Sequence, residues 1–331
     1  MSGLKRDGSK LVTVVTPVYN GGHFLAECIA SVLAQTYQRF EYLISDNFST
    51  DATKAIIERY AGEDERIRLV RPDRFLPQVA HWNFAASQAS PDGAYLKFAH
   101  ADDTLAPSCL ERMVALADAH PSVGIVGALR RIGDDDEIDL DGVPPTADVV
   151  PGRWLIRQQL QGGRYTTGTP TSTLLRTDLL LDRAKPYDVS YVHTDDALSY
   201  RLLLGSDFGY VAEPLTYTRL HAGSTTSWCE RVGTWLPEHL RMALEFGSQV
   251  LTEPELDRVV VRWERGYARS LAKSTITLKL LRDRDALRFH RTALGQIDRA
   301  AREVGRTISS TLHAYENVLR AGTRDGGPPG S

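Results

Sequence analysis

The amino-acid sequence predicts an α/β protein in which a mostly parallel central sheet is flanked by helices and followed by a C-terminal α-helical extension. Over the first half of the chain, short β-branched runs alternate with segments of helical periodicity, which is typical of a parallel sheet wrapped by helices. Beyond about Trp235 the apolar residues recur only at helix-compatible spacing, which predicts three or four helices. The length of 331 residues fits about two domains.

The composition excludes several classes of protein. With 42% hydrophobic residues, the chain has enough apolar surface to fold and is not predicted to be disordered. No apolar run approaches the ~20 residues of a membrane span, and the polar residues 1–10, which we expect to be flexible, carry no apolar signal core. Cys28, Cys109 and Cys229 are too scattered for a disulfide framework or a zinc site, which favours a reducing cytoplasm. The net charge of −3 argues against nucleic-acid binding.

The predicted strands are short, mostly apolar runs. The first, residues 11–16, is largely β-branched, which is typical of a buried strand, and we expect Pro17 to end it. The remaining strands are predicted at residues 40–44, 67–70, 94–99, 123–128, 171–176, 208–211 and 215–218.

The predicted helices carry apolar residues three or four positions apart. In the first helix, Phe24, Cys28 and Val32 lie on one face. Ser49 and Thr50 offer N-cap oxygens to the second helix. Further helices are predicted after Pro107, where proline is tolerated at a helix start, and at residues 79–89, 153–161 and 197–204.

The predicted domain organisation separates residues 11–230, which contain the sheet, from a helical region at residues 231–321. The last residues, 322–331, are rich in glycine and proline and are predicted to be disordered. Residues 133–145 hold six acidic side chains, but the ligand spacing of a calcium loop is absent, so we expect a solvated surface loop.

Acidic segments follow two of the predicted strands and open one predicted helix. They are residues 46–51, 100–103 and 194–196. In open parallel sheets, ligands bind outside the carboxyl ends of the strands, so these segments form the candidate site. A structural alternative exists for each: Asp102 and Asp103 could be a pair favoured by a helix dipole, and Asp46 could be a turn residue.

The functional interpretation of the same residues rests on what carboxylates bind. Two adjacent carboxylates repel each other unless a cation is present, and they can hold a hard divalent ion that also binds substrate phosphates. Asp102 and Asp103 suit this task, and the carboxylate of Asp46 could accept the imide N–H of a pyrimidine base.

Five motifs occur in a fixed order along the chain. They are TPVYN at residues 16–20, DNFSTD at 46–51, HADD at 100–103, TDD at 194–196 followed by RLLL at 201–204, and EPLTYTRLH at 213–221. Together they resemble glycosyltransferase family 2, a family of inverting transferases with the GT-A fold. The resemblance covers about residues 11–227 and implies a GT-A catalytic domain over residues 11–230.

The resemblance implies a role for each matching residue. The donor nucleotide would be contacted by Pro17, Tyr19 and Asn20 in the loop after the first strand, and by Asp46, Asn83 and Asp102. A divalent metal, Mg²⁺ or Mn²⁺, would be held by Asp103 and His221. Asp196, with Asp195 as the second candidate, would be the general base.

The resemblance also implies substrates. The donor would be a nucleotide sugar, with UDP- and dTDP-sugars favoured because a carboxylate at Asp46 suits uracil or thymine. The acceptor would be a hydroxyl of a glycan, a lipid-linked glycan or a small natural product, such as the growing chain in polysaccharide biosynthesis.

Three positions depart from the pattern common in the family. His100 stands where many members have an acidic residue, Asn47 where many have a second aspartate, and His81 lies in a segment where a basic residue often precedes the asparagine matched here by Asn83. Motifs that end only in Asp-Asp remain compatible with the family. Trp82 is expected to be a core or pocket-wall residue rather than a stacking platform.

Other functions fit the sequence less well. A nucleotidylyltransferase would need a glycine-rich loop with a basic residue after the first strand, and a dinucleotide oxidoreductase would need Gly-x-Gly-x-x-Gly there; neither pattern is present. A binding module without catalytic activity stays open. The helical region carries Arg258, Arg262, Arg265 and Arg269 at helical spacing, which indicates a solvated face, a homodimer contact or peripheral contact with an anionic membrane at the cytoplasmic face.

Overall fold

The computed structural model describes residues 9–133, 137–138, 148–162, 167–180, 185–276 and 279–321. Most of the acidic loop, residues 134–136 and 139–147, lies outside these described residues, as do the ends of the chain, residues 1–8 and 322–331. The predictions of a solvated loop and of flexible ends therefore stay predictions.

The described strands join in one sheet with the order β3-β2-β1-β4-β9-β6-β10-β5, to which β7 adds beside β6 and β8 beside β10. The strands are β1 (Val12–Val18), β2 (Phe40–Asp46), β3 (Ile67–Val70), β4 (Tyr95–Phe98), β5 (Thr104–Leu105), β6 (Val123–Ile132), β7 (Glu137–Ile138), β8 (Val149–Pro151), β9 (Thr173–Arg176) and β10 (Asp207–Thr218). The pairs β1–β2, β1–β4, β2–β3 and β6–β10 are parallel, whereas β9 runs antiparallel between β4 and β6.

The helices alternate with the strands up to β10 and then follow one another. They are α1 (Leu25–Leu33), α2 (Thr53–Glu63), α3 (Gln78–Ser87), α4 (Cys109–Ala119), α5 (Gly152–Leu160), α6 (Thr194–Leu203), α7 (Thr225–Val232), α8 (Trp235–Phe246), α9 (Glu253–Ile276), α10 (Lys279–Arg282), α11 (Arg284–Glu303) and α12 (Ser310–Ala321). The predicted fold class, a mostly parallel sheet with flanking helices and a helical C-terminal region, is confirmed. From Trp235 onward the described residues hold five helices, because the four-residue α10 separates two long ones.

The sheet is buried because helices cover it. All seven residues of β1 are buried, which explains why its sequence is mostly β-branched and does not alternate between apolar and charged residues. α1 buries Leu25, Cys28, Ile29 and Val32, which lie on one helical face. The side chains of all three cysteines are buried thiols.

Pro17 does not end β1, as the sequence predicts, but lies inside it. Alternate residues of a parallel strand face the same neighbouring strand, so Val15 and Pro17 both face β4. β4 ends at Phe98, and the N–H of Ala99 makes a bond of 2.9 Å to the carbonyl of Val15. Beside Pro17, the carbonyl of Ala99 accepts the hydroxyl of Thr16 at 2.7 Å in place of a backbone N–H. The N–H that proline lacks therefore leaves no acceptor unpaired, and the strand continues through it.

Two other local predictions are wrong. Ser49 and Thr50 do not cap α2, because the Oδ1 atom of Asp51 accepts the N–H of Thr53 at 3.0 Å at the helix start. The two strands predicted at residues 208–211 and 215–218 are one strand, β10, whose register shifts on both sides of Pro214. A bulge accommodates a proline without breaking the strand.

The chain divides into two compact units. The sheet unit contains Met1–Gln159, Gly163–Ser190 and Thr194–Leu220, and the helical unit contains Leu160–Gly162, Tyr191–His193 and His221–Ser331. The predicted domain boundaries stay a prediction, since compactness alone does not define a folding domain.

The helical unit has its own buried core, which includes polar groups. The hydroxyl of Tyr267 and Nδ1 of His290 form a hydrogen bond of 2.9 Å, and Nε2 of the same histidine lies 2.9 Å from the carbonyl of Val232. The buried carboxylate of Glu238 accepts the N–H of Val192 at 2.9 Å. No helix within the described part of the chain has the length and apolar character that crossing a membrane requires.

The orientation of α2 can be tested with two adjacent isoleucines. Ile57 is fully buried in the core of the sheet unit, whereas Ile56 is partly buried. We expect Ile57→Ala to lower the free energy of unfolding by about 2–5 kcal/mol, because it leaves a cavity. The control Ile56→Ala should cost about 1 kcal/mol. Urea denaturation monitored by circular dichroism measures both, and equal losses would contradict this orientation.

Candidate functional site

The carboxyl ends of β1, β2 and β4 carry three of the predicted motifs. Because β1 pairs in parallel with both β2 and β4, the segments that follow these strands leave the sheet at the same edge. Tyr19 and Asn20 follow β1, Asp46 ends β2, and His100 to Asp103 follow β4. The sheet thus brings together the segments that the sequence singles out. Pro17 is buried within β1 rather than in the loop after it.

The loops after β1 and β2 are bonded to each other. The N–H of Asn20 donates to Oγ of Ser49 at 2.9 Å, and Oδ1 of Asn20 accepts the N–H of Thr50 at 2.8 Å. Asn20 has a φ of 51° and Phe48 a φ of 63°. Asparagine tolerates this left-handed conformation better than most residues. Asn20 therefore fixes the edge of the site, and its contact with the donor stays a prediction.

Asp46 is a buried carboxylate whose two oxygens differ in their bonding. Its Oδ1 atom accepts the N–H of Ser49 at 2.9 Å. Its Oδ2 atom is buried, has no hydrogen-bond partner among the residues that the structure describes, and lies 3.6 Å from Nε of Arg71. The guanidinium of Arg71 lies over the ring of Phe48 at 4.1 Å. No motif in the sequence marks Arg71, which is distinguished only by its position just after β3.

Two exposed aromatic side chains lie beside each other at this edge. Tyr19 and Phe75 are each about half exposed, and their rings meet edge to face at 5.1 Å. Exposed aromatic pairs of this kind can contact planar ligands such as nucleobases. The predicted place of Tyr19 next to the donor stays a prediction. Phe75 belongs to none of the sequence motifs, and its ring contact with Tyr19 is visible only in the structure.

Asp102 and Asp103 differ in their exposure. Asp103 is only 5% exposed, and its Oδ1 atom accepts the N–H of Arg219 at 3.2 Å. Asp102 is partly exposed, and its carbonyl accepts from Nε of Arg219 at 3.2 Å. Burial, together with the neighbouring charge of Asp102, raises the pKa of Asp103 to about 7, although a hydrogen bond from Thr171 opposes the increase. A nearby cation would stabilise the ionised form of this carboxyl group.

His100, which departs from the family pattern, belongs to an aromatic cluster. Its ring lies 4.7 Å from that of Trp82 and 6.3 Å from that of Phe98. The ring of Tyr187 lies 5.5 Å from that of Trp82. Burial lowers the pKa of His100, so its ring is neutral at pH 7. Trp82 is thus part of a packed aromatic wall.

Asn83 makes two hydrogen bonds to the backbone of one residue. Its Nδ2 atom donates to the carbonyl of Tyr187 at 2.8 Å, and its Oδ1 atom accepts the N–H of Tyr187 at 2.9 Å. These bonds hold the chain that leads towards α6. The predicted contact between Asn83 and the donor is not tested by this arrangement.

Asp195 and Asp196 lie in the first turn of α6. Thr194 donates from Oγ1 to the carbonyl of Asp188 at 3.0 Å, which fixes the start of this helix. Burial raises the pKa of Asp195 to about 6. Asp196 is the more deeply buried of the two, with 3% of its surface exposed, whereas Asp195 is partly exposed. A carboxyl group with a pKa near neutrality suits a general base.

The charge of Arg130 on β6 acts on one carboxyl group of each acidic pair. It opposes the increase in pKa of both Asp103 and Asp195. No motif in the sequence marks Arg130, which lies just beyond the end of a predicted strand.

The chemistry of the acidic pair after β4 fits a hard divalent cation, although no ready cluster of three ligands exists. Within the part of the chain that the structure describes, no three His, Cys, Asp or Glu side chains come together to hold a metal. Carboxylates are preferred ligands of Mg²⁺, which usually keeps several waters and binds substrate phosphates as well. His221 lies in the helical unit, where its carbonyl accepts the N–H of Ser224 at 3.0 Å. Its predicted role as a ligand stays a prediction.

Comparisons with known proteins agree with this architecture. The chain is 27% identical over 128 residues to the glycosyltransferase GlyG of Streptococcus pneumoniae; the match covers 39% of this chain and 42% of GlyG, so the chain spans less than half of that relative. Staphylococcus aureus TarS 1–349, solved in complex with UDP-GlcNAc, aligns with a TM-score of 0.66 at 20% identity over 95% of this chain and 88% of TarS.

A second solved structure and a family model complete the comparison. The mannosyltransferase PcManGT of Pyrobaculum calidifontis, in complex with GDP-Man and Mn²⁺, aligns with a TM-score of 0.57 at 15% identity over 94% of this chain and 84% of that one. Both neighbours share the GT-A fold, as the sequence predicts. Residues 13–182 match the family model of glycosyl transferase family 2. Because this match spans about half of the 331 residues, the chain belongs to glycosyl transferase family 2.

Proposed function

We propose that the protein is an inverting glycosyltransferase that moves a sugar from a UDP- or dTDP-sugar to an acceptor hydroxyl. The observation that carries the proposal is that parallel pairing of β1 with β2 and β4 brings Asp46 and the pair Asp102 and Asp103 to one edge of the sheet. Transfer needs a cation that stabilises the leaving diphosphate and a base for the acceptor. We assign the holding of the cation to the acidic pair after β4 and the role of the base to the acidic pair of α6. The UDP-GlcNAc bound to TarS and the GDP-Man bound to PcManGT support a nucleotide sugar as the donor.

The acceptor hydroxyl is a weak nucleophile until its proton is removed. We assign this task to Asp196, with Asp195 as the second candidate, because both lie in the first turn of α6 and the motif resemblance matches Asp196 to the general base. The raised pKa of Asp195 keeps it as the second candidate. A positioned general base typically accelerates a reaction about 10²–10⁴-fold. A single in-line displacement with one base inverts the anomeric centre, so an α-linked donor gives a β-linked product.

Isosteric amides test the assignment of the base. We expect Asp196→Asn to lower kcat about 10²–10⁴-fold with little change in donor KM, because an amide cannot accept the proton. The matched variant Asp195→Asn should lower kcat by less than tenfold. Sugar transfer at saturating donor measures both. If only Asp195→Asn abolishes turnover, Asp195 is the base, and if neither does, the proposed base is wrong.

The leaving group is a diphosphate, on which negative charge develops as the sugar departs. Mg²⁺ or Mn²⁺ held by Asp103, with His221 as the second proposed ligand, would neutralise this charge as a Lewis acid. Asp102 is proposed to contact the ribose or the diphosphate of the donor. Arg130 helps to hold Asp103 ionised, because its charge lowers the pKa of that carboxyl group. The Mn²⁺ bound with GDP-Man in PcManGT supports the choice of metal.

The raised pKa of Asp103 predicts how stability depends on pH. An unfolded aspartate has a pKa near 3.9. Without metal, ionisation of Asp103 therefore destabilises the folded state progressively as pH rises, and the effect is complete above about 7. In the presence of EDTA, we expect the Tm of Asp103→Asn to exceed that of the wild type by a few degrees at pH 8 and to equal it near pH 4.

Thermal melts at both pH values, with EDTA or with excess Mn²⁺, make this measurement. Mn²⁺ should raise the Tm of the wild type at pH 8 but not that of Asp103→Asn, since the amide is a poorer ligand. Asp102→Asn is the comparison variant, since it removes the partly exposed neighbouring charge but keeps the buried carboxyl group of Asp103. Its Tm should still fall as the pH rises, but by less than the Tm of the wild type. A Mn²⁺ effect that persists in Asp103→Asn contradicts the proposed ligand.

Asp46 is proposed to recognise the base of the donor. Its Oδ2 atom, which no described residue hydrogen-bonds, is proposed to accept the imide N–H of uracil or thymine. Its other oxygen is already bonded to the N–H of Ser49. A carboxylate in this position disfavours cytosine, which presents a ring acceptor in place of the imide N–H.

Replacing Asp46 by asparagine should change base preference. If the amide oxygen keeps the bond to Ser49, the amide nitrogen faces the base and repels the imide N–H. We expect Asp46→Asn to weaken UDP binding about 10–100-fold and to narrow the ratio of UDP to CDP affinity. Asp51→Asn, in the same loop, is the control. Calorimetry measures the affinities, and an unchanged ratio would count against base recognition by Asp46.

The acceptor and the partners are proposed more broadly. A hydroxyl of a glycan, a lipid-linked glycan or a small natural product fits the reaction. Homodimer contact or peripheral contact with an anionic membrane is proposed for the helical unit, but part of its arginine row is engaged within that unit. Arg262 donates to the carbonyl of Gln161 at 2.6 Å, and Arg269 donates to that of Arg265 at 3.2 Å.

A further inference from the structure

Lys97 is a fully buried lysine in the middle of the sheet. It lies on β4, pairs with Val14 of β1, and has no exposed surface. Burial lowers the pKa of its ammonium group. An apolar side chain of similar length would fill this space without the desolvation penalty of a charge. The charge of Lys97 must therefore be stabilised by what it bonds.

The ammonium of Lys97 bonds to two backbone carbonyls, one within a short turn and one just after it. Nζ donates to the carbonyl of Thr171, within the 3₁₀ turn Pro170–Ser172, and to the carbonyl of Thr173 at 3.1 Å, at the start of β9. It also lies 3.7 Å from the sulfur of Met113. Two bonds to alternate carbonyls fix the orientation of this turn relative to β4.

The turn that Lys97 bonds is itself hydrogen-bonded to the segment that carries the acidic pair. The hydroxyl oxygen of Thr171 accepts the N–H of His100 at 3.2 Å. The carbonyl of His100 in turn accepts the N–H of Asp103 at 3.0 Å. Thr171 is itself fully buried, so its hydroxyl cannot exchange this partner for water. The segment from His100 to Asp103 thus depends on the position of this one side chain.

We propose that Lys97 is a positioning residue for Asp103, which it orients through the turn at Thr171. This inference rests on the proposed function only in that Asp103 is taken to act on the donor diphosphate. Lys97 has no exposed surface with which to reach a substrate, and among the described residues its ammonium donates to two backbone carbonyls and a thioether. Its effect on transfer is therefore transmitted by the hydroxyl of Thr171, which predicts that the two residues act as one unit.

A double-mutant cycle tests whether the two residues act as one unit. The variants are Lys97→Met, which removes the charge at similar length, Thr171→Val, which removes only the hydroxyl, and the two combined. The control is Met113→Leu, which changes the third neighbour of the ammonium and leaves both carbonyl bonds in place. For each protein, kcat, donor KM, Tm and hydrogen exchange of the amides at residues 100–105 are measured.

We expect Lys97→Met and Thr171→Val each to lower kcat about 10–100-fold with donor KM changed less than about threefold. The double variant should be no more than about threefold worse than the poorer single variant, because both changes break the same link. Exchange at residues 100–105 should rise by similar factors in all three variants. Met113→Leu should match the wild type within about threefold.

A merely structural lysine would behave differently. Lys97→Met would then lower Tm, Thr171→Val would leave kcat and exchange unchanged, and the losses in the double variant would multiply; that pattern overturns the inference. If Lys97→Met does not fold, Thr171→Val decides the question alone. An unchanged kcat together with unchanged hydrogen exchange at residues 100–105 in that variant overturns the inference. If the wild type transfers no sugar, the proposed function fails, and the exchange cycle still decides whether Lys97 positions the segment.

Discussion

Parallel pairing of β1 with β2 on one side and with β4 on the other determines where the polar side chains of this protein can meet. Because the three strands point the same way, the loop of Asn20, the carboxylate of Asp46 and the acidic pair after β4 leave the sheet at one edge. β1 is buried along its whole length, and the ammonium of Lys97, in the middle of β4, is enclosed by two backbone carbonyls and a thioether. The polar groups that water and ligands can reach therefore lie at the strand ends.

The antiparallel strand β9 adds a constraint that a purely parallel sheet would lack. It lies between β4 and β6, and the turn before it places the hydroxyl of Thr171 against the N–H of His100. The buried ammonium of Lys97 holds that turn to β4. On the next strand, β6, the charge of Arg130 opposes the increase in pKa of Asp103 and Asp195. A nearby positive charge of this kind limits the repulsion between neighbouring carboxylates.

The fold and the acidic motifs could be predicted from the sequence because both depend on local patterns. Strand and helix periods are visible over a few residues, and Asp46, Asp102 and Asp103 directly follow apolar runs. Arg71, Arg130 and Thr171 could not be predicted as neighbours of these acids, since their contacts join residues far apart in the chain and leave no spacing signal. Pro17 shows the same limit: whether a proline ends a strand depends on where the neighbouring strand stops, which is a tertiary property.

The burial of the cysteines has a consequence for studies of motion in this protein. Cys28 and Cys109 are buried, and burial raises the pKa of both thiols, that of Cys28 to about 12, while Cys229 is buried in the helical unit. Only the thiolate reacts with maleimides and similar reagents, so the native thiols are poor targets at neutral pH. A single cysteine introduced on the surface can therefore carry a fluorophore or spin label without first removing the native ones, and the loop that carries Tyr19 is a suitable place to report donor binding.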